Sequence, residues 1–115
     1  MSMPPMSSQP DPSYNDSAIK QLIAQHPVIL FMKGNRKQPH CGFSAQVVHI
    51  LNQHLKDYHT VDILQDEELR SGMKSYSNWP TFPQLYVNNT FIGGCDIVAD
   101  LEKKQELAPL LTQVS

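Results

Sequence analysis

The chain has 115 residues, with nine lysines and arginines against eleven aspartates and glutamates, and 40% of its residues are hydrophobic. That length makes one domain, large enough to hold a core without disulfide staples. The net charge of −2 excludes the basic excess with which nucleic-acid proteins meet phosphate, and no apolar run nears the ~18 residues of a membrane span.

Two cysteines, Cys41 and Cys95, cannot staple a fold and suit a reducing compartment, where thiols stay free. Residues 1–13 hold four of the nine prolines and neither lysine nor arginine. A secretory leader needs a basic start and an apolar stretch, and a mitochondrial transit peptide needs arginines. Neither pattern is present, so a cytoplasmic protein is expected. Residues 1–14 read as a disordered tail, with too little apolar surface to offset ordering entropy, ahead of a domain at 15–115.

From Tyr14 to Gln25, Ala18, Ile19, Leu22 and Ile23 recur at helical spacing, with Asn15, Asp16 or Ser17 available as N-cap. After Pro27 the unbroken run Val28-Ile29-Leu30-Phe31-Met32 predicts a strand buried on both faces. Lys33 to His40 reads as a loop. From Gly42, the residues Phe43, Val47, Ile50, Leu51 and Leu55 predict a second helix that starts at or beside Cys41, with Phe43 filling the core beneath it. Tyr58 to Ile63 reads as a strand, and Asp66, Glu67 and Glu68 place acid in the first turn of a helix with Leu69, Met73 and Tyr76 inward. Pro80 and Pro83 bracket Thr81 and Phe82 before two short strands, Gln84 to Val87 and Thr90 to Ile92. Their link, Asn88-Asn89, tolerates positive φ and predicts a tight hairpin. Gly93-Gly94 predicts a turn, Asp96 a cap for a helix through Ile97, Val98 and Leu101, and Leu107, Leu110 and Leu111 a last helix. Strands separated by helices require a parallel crossover, whereas the hairpin is antiparallel. The expected fold is therefore α/β, with a mixed four-stranded sheet covered by helices on both faces.

Three constellations carry chemistry. Cys41-Gly42-Phe43-Ser44 puts a thiol at a helix N-terminus, where free backbone N–H groups and the helix dipole stabilise the nucleophilic thiolate. Lys33, Arg36 and Lys37 in the preceding loop, with His40 beside the thiol, should favour ionisation. The position matches the first cysteine of a Cys-x-x-Cys redox motif, but Ser44 replaces the second. One thiol can form a mixed disulfide yet needs another to resolve it, so the site is built to bind through sulfur at least as much as to turn over. Trp79-Pro80-Thr81-Phe82-Pro83 is proline-flanked backbone able to present N–H and C=O groups to an extended peptide. Gly93-Gly94-Cys95-Asp96 opens a helix whose free N–H groups suit a carboxylate. His49, His54 and His59 are not spaced as a closed zinc set.

Together, and in this order, Lys33-Gly34, the loop to Pro39, Cys41-Gly42-Phe43-Ser44, Trp79-Pro80-Thr81-Phe82-Pro83-Gln84 and Gly93-Gly94-Cys95-Asp96 resemble the monothiol glutaredoxins over roughly residues 16–114. The resemblance implies a thioredoxin-like fold with a cis bond before Pro83. It also implies glutathione along the site with its thiol beside Cys41. Lys33 and Arg70 would meet its glycyl carboxylate, Thr81 and Phe82 would pair with its backbone, and Gly94, Cys95 and Asp96 would hold its γ-glutamyl end. The family is associated with a [2Fe-2S] cluster, which normally takes four thiolates. Two Cys41 thiolates from two chains plus two glutathiones supply four, so the cluster would sit in a symmetric homodimer. The leading expectation is an iron-sulfur carrier that delivers its cluster to apo-proteins or pairs with a BolA-like partner. A glutathione-dependent oxidoreductase acting on glutathionylated proteins through Cys41 is the alternative, and an adaptor without chemistry a third.

Overall fold

The computed structural model describes residues 15–112; the expected tail at residues 1–14, and residues 113–115, lie outside the described residues. Nine elements follow in the expected order: α1 (Asp16–Ala24), β1 (Val28–Met32), α2 (Gly42–Asn52), β2 (His59–Asp62), α3 (Glu67–Ser77), β3 (Gln84–Val87), β4 (Thr90–Gly93), α4 (Cys95–Lys103) and α5 (Leu107–Thr112). The strands form one sheet in the order β2-β1-β3-β4. β1 pairs with β2 in parallel across the α2 crossover, and β1–β3 and β3–β4 are antiparallel. Asn88 and Asn89 take φ values of 50° and 69°, the left-handed pair that closes a two-residue hairpin.

Every residue of β1 is buried, and its alternation feeds two cores. Val28, Leu30 and Met32 pack with Val47 and Leu51 of α2, Val98 of α4, and Leu107 and Leu111 of α5. Ile29 and Phe31 pack on the other face with Ile19 and Ile23 of α1 and Leu69 and Met73 of α3. Caps set the helix starts. Asn15 accepts from Ala18 N–H and Asp66 from Leu69 N–H, each satisfying one of the donors a helix start leaves free.

Two local expectations are corrected. Asp96 is the second residue of α4, not its cap, because Gly94 is the extended residue at the boundary and α4 has no side-chain cap. Phe43 is 63% exposed rather than core: in the first turn of α2 it is Ser44 that is buried, and the Phe43 ring lines the cleft. Tyr76 faces inward as expected, half-buried against the core of Leu69 and Met73. Among the described residues no helix is long and apolar enough to cross a membrane.

Phe31 is fully buried and meets Tyr86 edge-on at 5.7 Å, so it anchors the face that carries α1 and α3. Phe31→Ala should destabilise the protein by about 3–5 kcal/mol, read as a lower denaturant midpoint.

Candidate functional site

The site forms where β1 ends and α2 begins. Cys41 is the N-cap of α2 in extended conformation (φ −151°, ψ 154°), and its sulfur takes the role a capping oxygen usually fills. The Ser44 N–H donates to Cys41 Sγ at 3.3 Å, and the Ser44 hydroxyl lies 3.5 Å from that sulfur. Ser44 is fully buried, and its Oγ also accepts the Lys33 N–H at 3.2 Å. With that lone pair engaged, the hydroxyl proton is free to turn toward an ionised sulfur. Burial alone would push the Cys41 thiol up. The Ser44 hydroxyl and the Ser44 and Phe43 N–H groups oppose it, Lys33 adds its charge, and the thiol ends below its ordinary value.

Of the three loop cations expected to act on the thiol, only Lys33 does so. Arg36 points away: it binds Asp57 Oδ1 at 3.0 Å and Asn52 Oδ1 at 3.3 Å, and lies 4.1 Å over the Tyr58 ring. It therefore staples the loop to the α2–β2 connection. The loop is also held by the Gly34 N–H, which donates to Asp62 Oδ1 at 2.9 Å. Gly34 has φ +88°, and a Cβ there would run into the Gln38 carbonyl.

Beside the thiol lies a cleft of about 260 Å³, lined by Lys33, Phe43, Trp79, Thr81, Phe82, Pro83, Gly94, Cys95 and Asp96. Of the residues singled out for glutathione, Lys33, Thr81, Phe82, Pro83, Gly94, Cys95 and Asp96 line this cleft, and Cys41 and Arg70 do not. Arg70 sits in the first half of α3, half-exposed, 3.8 Å from Glu67. The Phe82-Pro83 bond is cis. Gly94 allows a close approach, since a Cβ would lie 3.2 Å from both the Pro83 carbonyl oxygen and Trp79 Nε1, tight enough that a neighbour would have to shift. Cys95 is buried and free, and its thiol donates to Gln46 Oε1 at 3.2 Å. Burial, Asp96 and Cys41 together push the Cys95 thiol up, so the two cysteines are shifted in opposite directions. A larger cleft, of about 390 Å³, lies at the far end of the sheet around the stacked His26 and His59, and holds no cysteine.

A thiolate at a β–α junction, facing a cis-proline segment and a helix start, is a thiol–disulfide and sulfur-ligand site in layout. A sequence profile for the Glutaredoxin family matches residues 28–92. Over 93 residues the chain is 50% identical to a monothiol glutaredoxin described as ycf64-like from Synechocystis, covering 81% of this chain and 87% of that one. The chain belongs to the monothiol glutaredoxin family. Glutaredoxin 3 of Danio rerio is 53% identical over 96 residues, which are 84% of this chain but only 29% of the relative. The chain thus spans under a third of that longer glutaredoxin. Among solved glutaredoxins, reduced poplar apo GrxS14 matches with a TM-score of 0.74 at 44% identity, covering 85% of this chain and 90% of that one. The thioredoxin-like fold expected from the sequence is the one this glutaredoxin has.

Two residues of the site have no sequence signal of their own. Gln46, four positions after a helix start, is an ordinary surface residue by pattern, yet it holds the Cys95 thiol. Gln84 is a polar residue at the head of a strand, which reads as exposed, yet it is fully buried.

Alkylation of Cys41 by iodoacetamide should follow a thiol titrating below 9.0, and Ser44→Ala should move that midpoint upward. The sign for stability follows: the folded protein releases this proton at a lower pH than the unfolded chain. Folding is therefore favoured as pH rises toward 9.0, and the gain is lost as pH falls through the folded value. Denaturant midpoints of wild type and Cys41→Ser across that window check it.

Proposed function

We propose that this glutaredoxin carries a [2Fe-2S] cluster as cargo, held by two copies of the chain with glutathione as the additional thiol, and passes it to acceptor proteins in iron-sulfur assembly. A BolA-like regulatory protein is an alternative second partner in the same reading. The observation that carries the proposal is the asymmetry of the thiols. Cys41 is partly exposed at the cleft edge with its thiolate stabilised, position 44 is a buried hydroxyl, and Cys95 is buried and engaged with Gln46. Each chain thus offers one ligand sulfur, while a cluster of this type takes four. Two chains and two small thiols make up the number.

The cleft suits such a small thiol. Glutathione is an anionic tripeptide, and Lys33 offers a cation, the Thr81–Pro83 segment offers backbone, and the start of α4 at Gly94 and Cys95 offers free N–H groups. A ligand set half made of dissociable small molecules favours delivery over storage.

The lowered Cys41 thiol supports a second reading, glutathione-dependent reduction of glutathionylated proteins. The Cys41 thiolate would attack the glutathionyl sulfur, releasing the target thiol and leaving a Cys41–glutathione disulfide. A second glutathione thiolate would then attack that glutathionyl sulfur, releasing Cys41 and glutathione disulfide.

Anaerobic reconstitution with iron, sulfide and a cysteine desulfurase separates the two. The carrier reading expects visible colour and a dimer on sizing chromatography only when glutathione is present, and a colourless, folded Cys41→Ser protein. A fully loaded Cys41→Ser protein overturns it. Colourless wild type that turns over a glutathione mixed disulfide efficiently selects the oxidoreductase.

A further inference from the structure

Gln84 and Ser44 are the two fully buried polar side chains among the described residues. A buried amide is tolerated only when its groups are paired, and both Gln84 N–H bonds go to the segment 79–83. Its Nε2 donates to the Trp79 carbonyl and to the Thr81 carbonyl, each at 3.1 Å. Its Oε1 accepts the Tyr86 hydroxyl at 3.3 Å. Burial pushes that hydroxyl far above the ordinary tyrosine range, so Tyr86 remains a donor at every working pH. From the other side Ser77 Oγ accepts the Trp79 N–H at 3.1 Å and donates to the Met73 carbonyl at 2.8 Å.

The segment 79–83 has no neighbouring strand, and the Gln84 side chain takes a strand's place. With the Trp79 and Thr81 carbonyls both turned onto it, the inward face of the segment is satisfied. The Phe82 N–H and C=O, next in the chain, make no hydrogen bond among the described residues. Thr81, Phe82 and Pro83 line the cleft, whereas Gln84 does not. Unpaired backbone in a cleft wall is what an extended peptide needs for strand-like pairing.

We infer that Gln84 is a positioning residue: by holding two carbonyls inward, it presents the Phe82 backbone to the cleft for pairing with an extended peptide thiol. The inference rests on the proposed glutathione binding and adds to it the group that sets this contact. The Gln84 network shares no residue with the Lys33–Ser44–Cys41 bonds, so ligand affinity and thiol ionisation are separable.

The test titrates glutathione into wild type, Gln84→Met and Tyr86→Phe, following calorimetry and the emission of Trp79, the single tryptophan, which lines the same cleft. Melting temperature and the pH profile of Cys41 alkylation are measured alongside. Gln84→Met should bind glutathione about tenfold more weakly, the scale of a lost buried hydrogen-bond network, with the alkylation profile unmoved. Tyr86→Phe keeps both Gln84 N–H bonds, so it should melt lower yet bind within about twofold of wild type. Gln84→Met binding like wild type, or both variants losing affinity in step with stability, overturns the inference. Should Gln84→Met fail to fold, Gln84→Leu, which loses both donors and the acceptor, takes the same comparison. Wild type that binds no glutathione removes the reading of the site itself, and the inference with it.

Discussion

β1 is the constraint on which the thiol end of the molecule depends. Its five residues are buried on both faces, which locks it between the α2/α4/α5 core and the α1/α3 core and leaves its exit direction no freedom. The chain leaves at Lys33, and the Lys33 N–H bond to Ser44 Oγ couples the end of the strand directly to the first turn of α2. A parallel crossover always places a helix N-terminus beside the C-terminal end of a strand. In this protein a cysteine stands at that junction, so the fold itself delivers N–H donors and the positive end of a helix dipole to the sulfur.

Two buried polar side chains then divide the work of shaping the cleft. Ser44 builds the wall that holds sulfur, and Gln84 shapes the wall that holds backbone. Each is satisfied by partners from a different part of the chain, and each therefore fixes a loop relative to a strand. The third wall is set by an absent side chain: Gly94 lets the start of α4 lie against Trp79 and the Pro83 carbonyl. None of the three walls relies on an exposed ion pair, whose contribution salt would screen.

Features carried by apolar pattern or by local backbone chemistry were legible in the sequence. The five-residue run of β1, the Asn88-Asn89 hairpin and the start of α2 beside Cys41 all stand where expected. The cis bond before Pro83 was not readable from the residues alone and followed from the family resemblance. What failed did so for physical reasons. Helical spacing places Phe43 on the same stripe as Val47 and Leu51, but spacing does not say which first-turn residue is covered, and it is Ser44 that is enclosed. Loop cations were counted by nearness in sequence, whereas Arg36 finds Asp57, Asn52 and Tyr58 on the far side of its loop. The burial of Gln84 was not legible because its amide N–H groups go to main-chain carbonyls, which every residue has.

Phe43 and Ser44 are adjacent in the same four-residue motif and have opposite surroundings. Ser44 is enclosed, bonded to strand and sulfur, and any replacement disturbs both fold and thiol. Phe43 is 63% exposed at the cleft mouth, with little of the core resting on it. Substitution at that position therefore costs the fold little, whereas substitution at its neighbour does not, so two residues joined by one peptide bond divide the shape of the cleft mouth from the chemistry of the thiol.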